Sequence, residues 1–261
     1  MEVVAGIDEL RREHGPIFVV VGVFDGLHLG HAYLLRHLVQ EARSRDANPA
    51  VITFDHHPDE VLTGHAPPLL LDPEERLDRL AGAGVELTVV QPFDAALRET
   101  PYDVFVERIR DRVELRGFLM TPDAAFGYQR AGTPETLAAL GEIDGFEVVV
   151  VAPFTLDGRP VRSSEIRAAI AAGDLESAAE LLGRPVTISG RLERDGTIVD
   201  RHRLVLGLPI ALPPRGSYRA RIDGEEATLL IADGTVRLSG VNRRPSRVTV
   251  ELSGPDARAA R

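Results

Sequence analysis

The sequence predicts an α/β domain followed by a small all-β domain, and three observations carry that reading. Ile17–Val21 (IFVVV) is a continuous β-branched run of the kind found in strands buried on both faces. Residues 29–39 (LGHAYLLRHLV) place their apolar positions at helical spacing, and Phe24-Asp25-Gly26 breaks the chain between the two segments. From Gly183-Arg184-Pro185 onward the pattern changes to short strands separated by Asp-Gly turn signals.

The first strand, turn and helix meet in residues 22–31 (GVFDGLHLGH). A strand, a glycine-bearing turn and a helix in that order put free backbone N–H groups and the positive helix end near the C-terminal edge of a sheet, which makes an anion site. Gly22 and Gly26 lack a Cβ and let a triphosphate approach the backbone closely. His28 and His31 are placed in the first helical turn, where imidazoles donate to phosphoryl oxygens as negative charge builds. Two histidines at a helix start can also be plain surface or capping residues; the complete ten-residue pattern favours the functional reading.

Later elements follow in order. Ser163 and Ser164 precede an amphipathic helix at residues 166–172, where hydroxyls cap free N–H groups. Arg167 falls in that helix's first turn, against the dipole, so an anion is expected nearby. A helix at Leu175–Leu182 ends at Gly183. Strands are then predicted at residues 186–192, 217–222, 227–231, 235–238 and 247–252, with turn signals at Asp195-Gly196, Asp223-Gly224 and Asp233-Gly234, as a small β-barrel or sandwich requires.

Composition removes several classes of function. The 261-residue chain has room for a full α/β domain and a smaller second unit. No stretch approaches the roughly 18 consecutive apolar residues of a membrane helix, and the acidic N-terminus lacks a signal peptide's basic region, so a soluble, cytoplasmic protein without a membrane partner is expected. The absence of cysteine excludes disulfides, thiolate zinc sites and a cysteine nucleophile. A formal net charge of −10 argues against nucleic acid as a partner. All 30 lysine-plus-arginine positions are arginine. That removes the P-loop lysine and Schiff-base chemistry, and leaves phosphate neutralisation to arginine, histidine, backbone N–H groups and a metal ion. No acidic spacing assigns metal ligands, and Asp55-His56-His57 reads most simply as a strand-end turn.

The pattern GxFDGxHxGH resembles the signature of the nucleotidyltransferase superfamily, in the form carried by the adenylyltransferase module of bacterial bifunctional riboflavin kinase/FAD synthetases. Residues 51–62 (VITFDHHPDEVL) are similar to that family's second strand and TFxPHP segment, with His57 and Pro58 kept and His56 where proline is usual. Residues 71–80, 85–93 and 102–109 follow its order of helix, strand and helix. Residues 126–132 (FGYQRAG) look like its FGxGRxG loop, and residues 161–167 (VRSSEIR) like its ISSTxIR motif. The ordered similarity runs over roughly residues 15–190.

That resemblance implies a doubly wound, Rossmann-like nucleotidyltransferase domain over about residues 1–183 and a β-barrel-like domain over residues 184–261. It implies transfer of AMP from ATP to FMN, giving FAD and pyrophosphate, with Mg²⁺ accompanying the nucleotide and small molecules as substrates, and leaves the oligomeric state open. His28, His31 and Arg167 are the implied catalytic residues, and Gly22, Phe24, Asp25, Gly26, Ser163 and Ser164 the implied ATP contacts. His57, Asp123, Phe126 and Arg130 are the implied acceptor contacts. Asp25 is expected to shape the turn, because an ionised acceptor phosphate needs no base.

The chain also departs from the family pattern. Arg162 replaces a serine and Ser164 a threonine, while Thr121, Ala124 and Tyr128 stand where glycine, phenylalanine and lysine are usual. A lost ring removes stacking worth about 0.5–1.5 kcal/mol beyond area burial. The kinase module's Gly-x-Pro-Thr-Ala-Asn motif reads Gly207-Leu208-Pro209-Ile210-Ala211-Leu212 here, without the hydroxyl and amide oxygen that hard Mg²⁺ needs. An adenylyltransferase without riboflavin kinase activity is therefore expected. The alternatives are transfer to another phosphorylated acceptor or flavin analogue, and a non-catalytic flavin or nucleotide sensor.

Overall fold

The computed structural model describes residues 1–195, 201–244 and 246–256. Its first sheet has six strands: β1 Glu2–Val4, β2 Ile17–Val21, β3 Asn48–Phe54, β4 Leu87–Gln91, β5 Leu115–Met120 and β6 Glu147–Val150. They lie in the order β1-β4-β3-β2-β5-β6, and every neighbouring pair is parallel. Parallel neighbours need crossover connections. These contain α1 Leu29–Arg43, α2 Pro58–Thr63, α3 Pro73–Gly82, α4 Ala95–Arg98, α5 Tyr102–Arg110 and α6 Pro134–Asp144.

The winding reverses at β2, with β3 and β4 on one side and β5 and β6 on the other. This is the doubly wound α/β arrangement, and its switch point lies at the C-terminal ends of β2 and β5. The continuous apolar runs follow from burial on both faces: Ile17, Phe18, Val19, Ala50, Val51, Ile52 and Phe118 are fully buried. Gly117 of β5 sits where a Cβ would come within 2.6 Å of the Phe18 ring and 2.3 Å of the Glu147 carbonyl oxygen, so a side chain there would force the strands apart.

After β6 come a short hairpin, β7 Thr155–Leu156 and β8 Arg159–Pro160, then α7 Ser163–Ala172 and α8 Leu175–Leu182. The remaining strands are β9 Val186–Arg194, β10 Arg201–Val205, β11 Gly216–Ile222, β12 Glu225–Ala232, β13 Thr235–Ser239 and β14 Arg247–Pro255. They close into an antiparallel barrel in the order β10-β13-β12-β11-β14-β9. The alternating burial of β11, β12 and β14 is that of strands with one face inside the barrel. Asp223-Gly224 and Asp233-Gly234 turn the hairpins with both residues at positive φ, as a two-residue primed turn demands. The Asp195-Gly196 turn signal falls partly outside the described residues. β10 is a strand that the sequence pattern does not predict.

The chain divides into two compact units, one comprising Met1–Phe24, Gly30–Pro67 and Leu77–Pro160, the other Asp25–Leu29, Pro68–Arg76 and Val161–Arg261. This differs from the expected cut between residues 183 and 184. Leu175, Ala178 and Leu182 of α8 are buried, and the helix packs on β9 and β14, so α7 and α8 join the barrel's unit. Asp25–Leu29 joins the same unit through the contacts described next.

Candidate active site

In the first unit, the ends of β2 and β5 open a cleft of about 140 Å³ at the switch point. Gly22, Phe24, His31, Thr121, Ala124 and Phe126 line it, together with apolar side chains of Val20, Val21, Leu34, Phe118 and Met120. The lining is predominantly apolar with few polar groups, the usual character of a small-molecule pocket. Phe24 holds the positive φ of 52° that re-aims the chain, and its buried ring lies 5.1 Å from the His31 ring. Phe126 packs on Phe105 and Phe118, with ring centroids 5.4 and 5.7 Å away. Four expected site residues, Gly22, Phe24, His31 and Phe126, thus share one cleft, and Ala124, where the family pattern has a ring, stands in its wall.

The loop expected to bind the acceptor has a different arrangement. Asp123 and Arg130 are exposed; Arg130 donates to the Asp123 carbonyl and the Thr121 hydroxyl donates to the Asp123 carboxylate, so both residues brace the loop itself. Gly127 and Gly132 are required by Tyr102, which a Cβ at either would approach to 2.7 and 2.6 Å. His57 caps α2, its Nδ1 accepting from the Asp59 N–H at 3.2 Å. Neighbouring Asp55 closes the ends of β3 and β4: burial opposes its ionisation, but the Phe93 amide and His56 outweigh that and hold the carboxyl below its ordinary range.

In the second unit, the turn Asp25–Leu29 is gripped from several directions. The Asp25 carboxylate, 4% exposed, accepts from the Leu70 N–H at 2.9 and 3.1 Å and from the Leu71 N–H at 3.3 Å. Arg167 donates to it through Nη2 and to the Pro68 carbonyl through Nε at 2.8 Å. Ser163 Oγ donates to the Asp25 carbonyl at 3.0 Å. Asp25 therefore shapes the turn, as the sequence suggested, but Arg167 faces a carboxylate rather than open space. Ser163 and Ser164 do not precede their helix: α7 begins at Ser163, with Arg162 as an N-cap that makes no side-chain capping bond. Ser164 is exposed in its first turn.

Gly26 has φ +85°, and a Cβ on it would meet the Leu70 side chain at 2.7 Å, so the glycine serves the turn and its packing. Helix α1 starts at Leu29, so His28 precedes the helix and only His31 lies in its first turn, a correction to the expected placement of both. Arg184, read from the sequence only as part of a helix-ending junction, donates to the Gly26 carbonyl at 2.6 Å and the Leu27 carbonyl at 3.1 Å. His28 is 6% exposed, and its pKa is pushed down from 6.5 to about 4, first by burial and then by the Arg184 charge.

The sign of the pH dependence follows. Between pH 6.5 and about 4 the unfolded chain protonates His28 and the folded chain does not, so stability is lost as pH falls through that window. The shift is worth on the order of 3 kcal/mol. Urea midpoints measured from pH 7 to pH 4 should fall, and His28→Asn should flatten the decline relative to the parent. Parallel declines would contradict the buried, neutral imidazole.

Comparison with known proteins fits this geometry. The FAD synthetase family model matches residues 10–165, more than half of the chain. The chain belongs to the FAD synthetase family. That membership places it among the nucleotidyltransferase enzymes. A bifunctional riboflavin kinase/FMN adenylyltransferase of Haemophilus influenzae is 34% identical over 194 residues, 74% of this chain and 63% of the relative. This chain thus spans a little under two thirds of that relative's length. The like-named protein of Pseudomonas fluorescens is 33% identical over 232 residues, covering 85% of this chain and 73% of its own. That of Escherichia coli K12 is 31% identical over 258 residues, covering 96% and 80%. A solved Streptococcus pneumoniae structure, described as a macrolide-efflux protein, superposes with a TM-score of 0.79 at 22% identity, covering 97% of this chain and 89% of that one, which shows a shared fold. Among the described residues no helix is long and apolar enough to cross a membrane.

Proposed function

We propose that this protein transfers AMP from ATP to the phosphate of FMN, giving FAD and pyrophosphate, and that it has no riboflavin kinase activity. The observation that carries the transfer is the GVFDGLHLGH segment, which leaves the central strand of a doubly wound sheet and enters α1 with His28 and His31 at the helix start. An oxygen of the FMN phosphate attacks the α-phosphorus of ATP in line, the bond to the β-phosphate's bridging oxygen breaks, and pyrophosphate departs with the electron pair. The acceptor is already ionised, so no base is needed. His28, held neutral, and His31 donate hydrogen bonds to the α-phosphate as charge builds, and positioning supplies the rest.

Ser164 and the first-turn N–H groups of α7 are the proposed pyrophosphate contacts, while Ser163 and Arg167 act through Asp25. The apolar cleft with Phe126 suits a flat ring system. His57, Asp123 and Arg130 remain proposed contacts of the acceptor's polar end. Among the described residues no three His, Asp or Glu side chains group to hold a metal, and the Asp25 oxygens are already engaged. Mg²⁺ is expected to accompany the nucleotide, and the proposed roles of the side chains do not depend on it.

The loss of the kinase is supported by Ile210, which is 7% exposed where the motif would present a hydroxyl. Around it the Leu69 N–H donates to the Pro209 carbonyl and the Ala211 N–H to the Leu69 carbonyl, each at 2.8 Å, so this backbone is committed to packing. Incubation with ATP and Mg²⁺, with chromatographic separation of flavins, should yield FAD from FMN and neither FMN nor FAD from riboflavin. FMN formed from riboflavin would restore the kinase. The specific observation favouring a second reading is Ala124 in the cleft wall: no FAD from FMN, but pyrophosphate release with another phosphorylated acceptor, would establish it.

A further inference from the structure

The turn that carries His28 is conformationally costly. Gly26 at φ +85° and Leu27 at φ +39° follow Phe24 at φ +52°, and a leucine at positive φ persists only where its surroundings over-determine it. Arg184 supplies that constraint. Its Nη2 donates to the Gly26 carbonyl at 2.6 Å and its Nη1 to the Leu27 carbonyl at 3.1 Å. Those carbonyls belong to the peptide planes Gly26–Leu27 and Leu27–His28, so one planar guanidinium holds two successive planes. The second of these planes includes the His28 nitrogen.

The arginine is itself anchored. Its N–H donates to the Ala179 carbonyl of α8 at 3.1 Å, Nη1 also reaches the Leu182 carbonyl at 3.3 Å, and β9 begins two residues later. A second grip on the same turn runs from the Asp25 carboxylate to the Leu70 and Leu71 N–H groups, beside Leu69, whose backbone pairs with Pro209 and Ala211. All of these contacts lie within the second unit.

We propose that Arg184 is a positioning residue for adenylyl transfer, fixing the Gly26–His28 backbone so that the His28 imidazole is presented in one orientation, and that the barrel-bearing unit is retained as the scaffold of this clamp. The inference rests on the nucleotidyl-transfer reading. It explains why a barrel without its Thr and Asn motif side chains persists: its polypeptide holds the turn. The positive charge contributes as well, since Arg184 adds to burial in keeping His28 neutral.

The test uses the full chain with Arg184→Ala and Arg184→Lys. Misplacement of a catalytic group by about 1 Å can cost about 10²-fold in rate, so Arg184→Ala should lower kcat by about that factor, with KM for ATP little changed and the loss normalised to folded protein. Lysine keeps the charge but lacks the rigid planar fork that fixes two carbonyls together, so it should restore only a minor part of kcat. Full recovery with lysine, or kcat unchanged in the alanine variant, would overturn the clamp. Hydrogen exchange at the Leu27, His28 and Leu29 amides supplies a readout independent of activity. It should rise by at least about tenfold in both variants, with barrel amides unaffected. Unchanged exchange would overturn the proposal even if FAD is made, and if the parent makes no FAD the functional reading fails while the exchange result still decides the clamp.

Discussion

Replacing His31 with alanine is expected to lower turnover of FMN to FAD by about 10²–10³-fold, the cost of removing one preorganised donor from a developing phosphoryl charge. His31 lies in the first turn of α1, half-buried, in the wall of the first unit's cleft and against the Phe24 ring. Because the imidazole acts on charge that grows in the transition state, kcat should fall far more than KM rises. The truncation removes a single half-buried ring, so the circular dichroism spectrum and cooperative melting should persist. Turnover near that of the parent, in a folded variant, would remove His31 from the mechanism and with it the strongest ground for reading residues 22–31 as a phosphate site.

The largest effect on stability is expected at Asp25. Its carboxylate is almost fully enclosed, pairs with Arg167 at 16% side-chain exposure, and satisfies two backbone N–H groups of residues 70 and 71. Removing one partner of a buried pair leaves the other charge and its donors without compensation, at a cost of about 3–5 kcal/mol. Asp25→Ala should therefore lower the unfolding free energy, taken from urea titrations followed by far-UV circular dichroism, by an amount in that range. Asp25→Asn, which keeps one carbonyl acceptor, should lose less. A change under about 1 kcal/mol, the value of a solvent-exposed pair, would show that Asp25 is a surface residue of the turn.

Much of the fold is legible in local patterns. The β2 run, the helical spacing of α1, the limits of α8 and the Asp-Gly hairpins at residues 223–224 and 233–234 are all consequences of short-range chemistry. β10 is less legible because its sequence RHRLV reads as charged, although His202 is 1% exposed and its Nε2 meets the Arg243 carbonyl at 3.0 Å. The first strand is a three-residue edge, too short for any alternation to register. The site divides in the same way. The histidines, Phe24 and the turn glycines stand in one contiguous motif, whereas the partners of Asp25 come from residues 45 and 142 positions away. No periodicity encodes such pairings, which is why Arg167 and Ser163 read as phosphate ligands and cap in the sequence but grip Asp25 in the fold. Arg184 carries no motif of its own, and its bonds to the Gly26 and Leu27 carbonyls reveal it.

The central claim, transfer of the adenylyl group, is tested most directly by following the α-phosphate of ATP. With ATP labelled at the α-phosphorus and FMN as acceptor, the label should move into FAD in step with unlabelled pyrophosphate. Label that stays in ATP, or appears as free AMP without FAD, would contradict adenylyl transfer to FMN.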